Sequence, residues 1–167
     1  MLKKIYNKVT HEWDTSVEEA LKSFIRLPAL SPDFDKKWEE NGVLLKALED
    51  AQAWAEKQGI KGLRCEIIKD DGFTPCLFVE VDATSDKKFE RSVFFYGHLD
   101  KQPPNEGWDQ DKSAWEPVIQ NGRLYGRGAV DDGYAFYTSL AAVKALQTLG
   151  IPHPRCVGSV SYTHLTL

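Results

Sequence analysis

The stretch from Ser92 to Asp100, Ser-Val-Phe-Phe-Tyr-Gly-His-Leu-Asp, limits what this chain can fold into more than any other. Ser92 to Tyr96 shows no apolar–polar alternation, the pattern of a strand covered on both faces. Gly97 breaks the run. An imidazole follows at once, and a carboxylate two positions later. Open α/β sheets place their sites at the carboxyl ends of strands, so this stretch predicts an α/β domain with polar chemistry at the strand end.

The elements on either side fit that class. Ser16-Val-Glu-Glu19 reads as a capping box that starts a helix continuing to about Leu27, where Pro28 stops it. Pro28 to Pro32 is a short extended link. A second helix is predicted from about Phe34 to Gln58, with Leu44, Ala47, Leu48, Ala51 and Ala55 as its apolar stripe and Gly59 as its stop. Trp38 and Trp54 read as core. Leu63, Cys65 and Ile67 alternate with polar partners, Asp70-Asp71-Gly72 is a turn, and Cys76 to Val81 completes a hairpin. Lys87, Lys88, Glu90 and Arg91 form a solvated connection.

Gln102 to Glu116 is a long loop of the kind that is often functional, and Trp108 and Trp115 are expected to pin it to the body. Asn121-Gly122 is a two-residue hairpin signal joining Glu116–Gln120 to Arg123–Tyr125. A helix from about Tyr134 to Leu149 turns Phe136, Leu140, Val143 and Leu146 inward, and a strand begins at Cys156 and Val157. Helices lead, strands fill the middle, and the hairpins make the β-sheet mixed and flanked by helices.

Totals exclude several functions. A net charge of −4 over 167 residues gives no general attraction to nucleic acid or to an anionic membrane. No apolar run is long enough to span a bilayer, and the N-terminus lacks the apolar core of a signal peptide. These features predict a cytoplasmic protein with no nucleic-acid or membrane partner. Cys65, Cys76 and Cys156 lack metal or redox spacing and read as buried free thiols.

Two groups of residues can carry chemistry. His98 and Asp100 project from the same side of an extended chain. A neutral imidazole can bind a metal through one nitrogen while a carboxylate fixes the proton on the other. Asp131-Asp132 lies between a glycine-rich turn and a helix N-terminus, so either aspartate could be a simple N-cap. A carboxylate there could instead bridge two cations about 3.5–4 Å apart, as in co-catalytic hydrolases. Gly126-Arg127-Gly128 lacks the third glycine and the lysine of phosphate-binding loops, which argues against a nucleotide. His11, His153 and His164 read as surface or satisfied histidines.

Together these residues form a recognisable pattern. Tyr-Gly-His98-Leu-Asp100-Lys-Gln-Pro, then Gly-Trp108-Asp, then Asn-Gly-Arg-Leu-Tyr-Gly-Arg-Gly-Ala-Val-Asp131-Asp132-Gly, resembles the M20 family of zinc metallopeptidases, most nearly its dipeptidase and carnosinase-like branch. Pro28-Ala-Leu-Ser-Pro resembles the family's N-terminal region. The resemblance implies part of a zinc-exopeptidase-like catalytic domain cleaving the amide bond of dipeptides or small peptides. It implies His98 as the first zinc ligand and Asp100 as the carboxylate that orients it. It also implies Asp131 as the bridge between two zinc ions, and a peptide bond to Asp132 that is often cis. A homodimer formed through a further domain is implied too. The same motifs occur in deacylases of N-acyl amino acids, and a non-catalytic scaffold is the reading outside enzymes.

This sequence departs from the family in two ways. Many relatives continue Asp-Asp-Lys-Gly, where this chain has Asp131-Asp132-Gly133-Tyr134. The family's general-base glutamate and the glutamate ligand beside it are expected soon after the strand near Arg155, yet no glutamate follows Glu116. Residues 160–167, Val-Ser-Tyr-Thr-His-Leu-Thr-Leu, resemble the translation of a transposon-end adapter. The expectation is that residues 1–159 are the N-terminal part of a catalytic domain and 160–167 a non-native tail. Re-reading the gene from independent DNA should replace these eight codons and reveal a Glu-Glu pair downstream; a locus encoding the same octapeptide contradicts this.

Overall fold

Among the described residues, four strands form a mixed sheet with helices packed on one face. The computed structural model describes residues 1–84 and 91–161. The strands are β1 (Leu63–Ile68), β2 (Cys76–Val81), β3 (Val93–His98) and β6 (Cys156–Ser161), in the spatial order β1-β2-β6-β3. β1 and β2 form the expected antiparallel hairpin, with Cys65 opposite Val79. β6 runs antiparallel to β2 and parallel to β3, with Phe95 opposite Gly158. The short hairpin β4 (Val118–Gln120) and β5 (Arg123–Tyr125) stands apart as a two-stranded sheet. Asn121 and Gly122 turn it with φ of 52° and 73°, the left-handed pair that a tight hairpin demands.

The N-terminal helix begins earlier than the capping box suggests. α1 (Leu2–Glu12) passes through a π-helical turn at Trp13–Val17 directly into α2 (Glu18–Arg26). Ser16 caps nothing, because its hydroxyl is engaged elsewhere: Oγ donates to Gln58 Oε1 and accepts from Trp54 Nε1. Glu12 is buried and paired with Lys8 at 2.7 Å and Lys144 at 2.6 Å. Burial alone would raise its carboxyl, but the two ammonium groups outweigh that and hold it below the ordinary range.

The predicted second helix is two helices, α3 (Trp38–Asn41) and α4 (Val43–Glu56), divided at Gly42, whose φ of 67° breaks the spiral. The stripe of α4 is as expected: Leu44, Ala47, Leu48, Ala51 and Ala55 are all buried. Trp38 and Trp54 pack on the core. Trp54 meets Tyr137 edge-on at 4.9 Å, and Tyr137 meets Phe136 at 5.3 Å. These rings join α4 to α5 (Tyr134–Thr148). Phe136, Leu140 and Val143 are buried as predicted, while Leu146 is half-buried and Ala145 takes its place inside.

β3 corrects one expectation. Its lack of alternation predicts cover on both faces, but Val93, Phe94 and Tyr96 are 48%, 63% and 46% exposed. β3 is an edge strand: Phe94 and Tyr96 lie on the face opposite the one bearing Leu77, Val79, Val81 and Val160, where α4 and α5 pack among the described residues, while Val93 opens the strand on that helix-covered face and is still half-open to solvent. The thiols also differ from expectation, since Cys156 is buried but Cys65 and Cys76 are half-buried. Lys87, Lys88, Glu90 and residues 162–167, His164 included, lie outside the described residues. Val160 and Ser161 complete β6, with Val160 buried. No helix among the described residues is long and apolar enough to cross a membrane.

Gly158 is where this packing is least forgiving. A Cβ there would lie 2.0 Å from Phe95 Cε2, because the ring crosses the glycine on the neighbouring strand. Gly158→Ala should destabilise the fold by about 1–3 kcal/mol through overpacking, read as a lower urea midpoint. An unchanged midpoint would contradict this packing.

Candidate metal centre

Every residue of the site comes from one end of the sheet. β3 delivers His98 at its carboxyl end, and the chain turns inward so that Leu99 and Asp100 are buried. The turn Ala129–Gly133, ahead of α5, delivers Asp131 and Asp132. Gly97 sits where these two pieces meet. A Cβ at Gly97 would lie 3.4 Å from both Ala135 Cβ and Asp132 Oδ2.

His98 joins the two pieces. Its Nδ1 is 3.2 Å from the carbonyl oxygen of Asp100 and 3.0 Å from Asp100 Oδ1. The ring N–H points at the carbonyl, so buried Oδ1 attracts it without an aligned hydrogen bond. A carbonyl only accepts, so this geometry keeps a proton on Nδ1. On the other side of the ring, Nε2 lies 3.1 Å from Asp131 Oδ1. A bare nitrogen lone pair facing a carboxylate lone pair is repulsive. Something positive belongs between them, either a proton or a cation.

The two donors suit a cation. Nitrogen and oxygen ligands on a tetrahedral zinc, each about 2.0–2.1 Å from the ion, are about 3.3 Å apart. The observed 3.1 Å is close to that tetrahedral edge. The donor set is incomplete, because among the described residues no three His, Cys, Asp or Glu side chains converge on one point. The structure brings His98 and Asp131 together, with Asp100 behind His98.

Electrostatics follow the same arrangement. The Asp100 carboxylate is the main cause of an imidazole held above its ordinary value; burial opposes it and Asp131 adds to it. Desolvation pushes the Asp132 carboxyl up, against the pull of His98 and a hydrogen bond from the His98 backbone N–H. Neither aspartate is an N-cap, since no side-chain cap hydrogen bond forms at Ala129–Gly133 or at α5. The Asp131–Asp132 peptide bond is cis, the form the sequence resemblance implies.

The neighbouring residues hold further outcomes. Trp115 does pin the long loop, its ring 5.3 Å from the Lys101 ammonium, whereas Trp108 Nε1 donates to Pro104 O within the loop itself. His153 is buried and satisfied, with Nδ1 2.8 Å from Pro154 O and Nε2 3.1 Å from Gln147 Nε2. A recess of about 810 Å³, lined by Gln58, Lys61, Asp82, Lys144 and Gln147 among others, lies at the opposite end of the sheet and holds none of these groups. Sequence reading gave Lys101 no role, yet it is almost fully buried and donates to Phe24 O at 2.6 Å, Ile25 O at 3.1 Å and Leu27 O at 2.7 Å.

Comparison with known proteins covers the same segment. Residues 94–161, which hold His98, Asp100, Asp131 and Asp132, match the model of peptidase family M20/M25/M40. The match spans less than half of the chain. Similar curated proteins include a succinyl-diaminopimelate desuccinylase of Aromatoleum aromaticum, 41% identical over 70 residues, or 40% of this chain and 17% of that one. Another desuccinylase, from Acidiphilium cryptum, is 49% identical over 51 residues, 30% of this chain and 13% of its own length. The Cys-Gly metallodipeptidase dug1 of Schizosaccharomyces pombe is 36% identical over 67 residues, 39% of this chain and 14% of its own.

The fold carries the likeness further. Human carnosine dipeptidase 1 superposes with a TM-score of 0.74 at 22% identity, covering 99% of this chain and 35% of that one. The dipeptidase Dug1p of Saccharomyces cerevisiae does so with a TM-score of 0.74 at 19% identity, covering 96% and 34%. The mixed α/β architecture is that of M20 peptidase domains, and this chain spans about a third of the length of those two solved proteins.

A pH dependence follows from the His98 geometry. The raised imidazole contributes stability that is fully present below its unfolded value and is lost as pH rises through its folded value. Urea unfolding of the metal-free chain should show this decline as pH rises from about 6.5, the imidazole's ordinary value, through its raised folded value, and His98→Ala should remove it. Zinc needs the same nitrogen free, so its affinity should rise through the same window. An affinity flat across that window would contradict the arrangement.

Proposed function

We propose that this chain carries the first metal corner of an M20 amide hydrolase acting on dipeptides or similarly small peptides. The observation that supports this most directly is the 3.1 Å approach of His98 Nε2 to Asp131 Oδ1 within the M20-matching segment. Its similarity to proteins named as dipeptidases supports the substrate class.

Each residue has a task in this reading. His98 would hold a zinc ion through its Nε2 lone pair. Asp100, through its carbonyl and carboxylate, keeps the proton on Nδ1 and the ring in place. Asp131 has two oxygens and could serve two zinc ions at once. Asp132 lies against the His98 backbone and holds the turn to the strand. When bound, such ions supply Lewis acidity, bringing the pKa of water toward neutrality and polarising the scissile carbonyl. A glutamate would carry the proton to the leaving amine, and none follows Glu116. We therefore expect the 167-residue chain to bind zinc weakly and turn over negligibly. A cytoplasmic setting, and homodimerisation of a longer protein through a domain outside these residues, belong to the same proposal.

A second reading is a deacylase of N-acyl amino acids. The identity to two succinyl-diaminopimelate desuccinylases, 41% and 49% over the matched segments, favours it specifically. Both readings cleave an amide at the same corner and differ in which acyl group is accepted.

Calorimetry with zinc tests the shared part. His98→Ala and Asp131→Asn should each weaken binding by on the order of 10-fold or more, since each removes one of few ligands. Equal affinity in the wild-type chain and both variants would overturn the site. Robust dipeptide hydrolysis by the purified chain would overturn the need for a glutamate from elsewhere. Adding a dipeptide or an N-succinyl amino acid to the zinc-loaded chain, and measuring which one binds, separates the two substrate readings.

A further inference from the structure

We propose that Lys101 is a positioning residue: it sets the separation of His98 and Asp131 by clamping the loop after β3 and the turn ahead of α5 onto the same end of α2. The inference rests on reading His98 and Asp131 as one metal corner.

The clamp has three parts. The ammonium supplies three N–H donors, and three carbonyls at the C-terminal end of α2 receive it, those of Phe24, Ile25 and Leu27. These carbonyls form the negative end of the helix dipole. The Phe24 ring lies 4.0 Å below the ammonium. The backbone of Lys101 forms the second part. Its N–H donates to Ala29 O at 2.8 Å and its carbonyl accepts from Ser31 N–H at 3.0 Å, a parallel bridge next to Asp100.

The third part reaches the aspartates. The lysine stem lies against Gly128, where a Cβ would sit 2.7 Å from Lys101 Cε. The flanking glycines of the same turn rest on α2 directly. A Cβ at Gly126 would lie 2.5 Å from Ile25 Cγ2, and one at Gly133 would lie 2.4 Å from Phe24 Cε1. The turn that presents Asp131 and Asp132 is thus seated on α2 and on the lysine that α2 holds. The same lysine directly follows Asp100 in the loop that fixes the His98 ring.

A positive charge is an expensive way to fill this space. Among the described residues no carboxylate pairs with Lys101, and burial pushes its ammonium down to about 7. A methionine would fill the channel without that desolvation cost. A cation does what methionine cannot, because it holds three carbonyls and two chain segments in one orientation.

The test uses the full 167-residue chain as wild type, Lys101→Met, Lys101→Gln and His98→Ala. Two readouts are taken: the ring-nitrogen resonances of His98 in the metal-free chain at one fixed pH, and zinc affinity by competition with a chromophoric chelator. Lys101→Met should keep the amide resonances of α4 and the β1–β2 hairpin, shift the His98 ring nitrogens, and weaken zinc binding by on the order of 10-fold. Lys101→Gln, which still offers an amide donor, should show smaller changes in the same direction. If wild type and His98→Ala bind zinc equally, the metal reading fails, while the ring resonances still judge Lys101. Unmoved ring resonances in Lys101→Met overturn the proposal, whatever the loss of stability. A chain that folds with neither substitution also overturns it, because Lys101 is then a folding determinant.

Discussion

One ammonium and three backbone carbonyls organise the site end of this molecule. A helix ends with carbonyls that have no partner within the helix, and α2 ends beside the loop that leaves β3. Lys101 satisfies Phe24, Ile25 and Leu27 at once, at 2.6, 3.1 and 2.7 Å. The desolvation this costs is offset only when every N–H finds an acceptor. That requirement fixes the side chain and, through it, the backbone bridge to Ala29 and Ser31. His98 and Asp100 lie immediately before this anchor in sequence. The Gly126–Gly133 turn lies immediately behind it in space, with glycine wherever the helix or the lysine stem comes too near for a Cβ.

On this frame, the chemistry at His98 reduces to a question of what lies between a nitrogen and an oxygen. The Asp100 carbonyl keeps one face of the imidazole protonated, and Asp131 meets the other at 3.1 Å. In the metal-free chain a proton can occupy that second face, which agrees with an imidazole whose affinity for protons is raised. A divalent ion would displace it. On the proposed reading, the same two side chains would serve as an ion pair in one state and as a fraction of a coordination sphere in the other.

Much of this was legible in the sequence, where local rules were enough. The Asn121-Gly122 turn and the apolar stripe of α4 each depend on neighbours a few residues away, and each formed as read, whereas β3 runs on through Gly97 to His98 where the glycine was expected to end it. What was not legible depends on neighbours far away in sequence. Ser16 looks like a helix cap until Trp54 and Gln58 are brought beside it. The Phe94 run looks doubly buried until the strand order puts it at an edge. Lys101 looks like any surface lysine, because nothing local announces the carbonyls of α2. The nearest signal is indirect: Gly128 and its companion glycines mark places where something must come close. Asp131 was ambiguous between a helix cap and a ligand for the same reason, and the absence of a side-chain cap hydrogen bond at this turn and at α5 removes the cap.

The central claim is that His98 and Asp131 hold one metal ion between them. X-ray absorption at the zinc edge of the zinc-loaded chain addresses it most directly. The account predicts a first shell of nitrogen and oxygen at about 2.0–2.2 Å, with an imidazole signature that disappears in His98→Ala. A shell dominated by sulfur at about 2.3 Å, from Cys65, Cys76 or Cys156, or an imidazole signature that persists without His98, would contradict it.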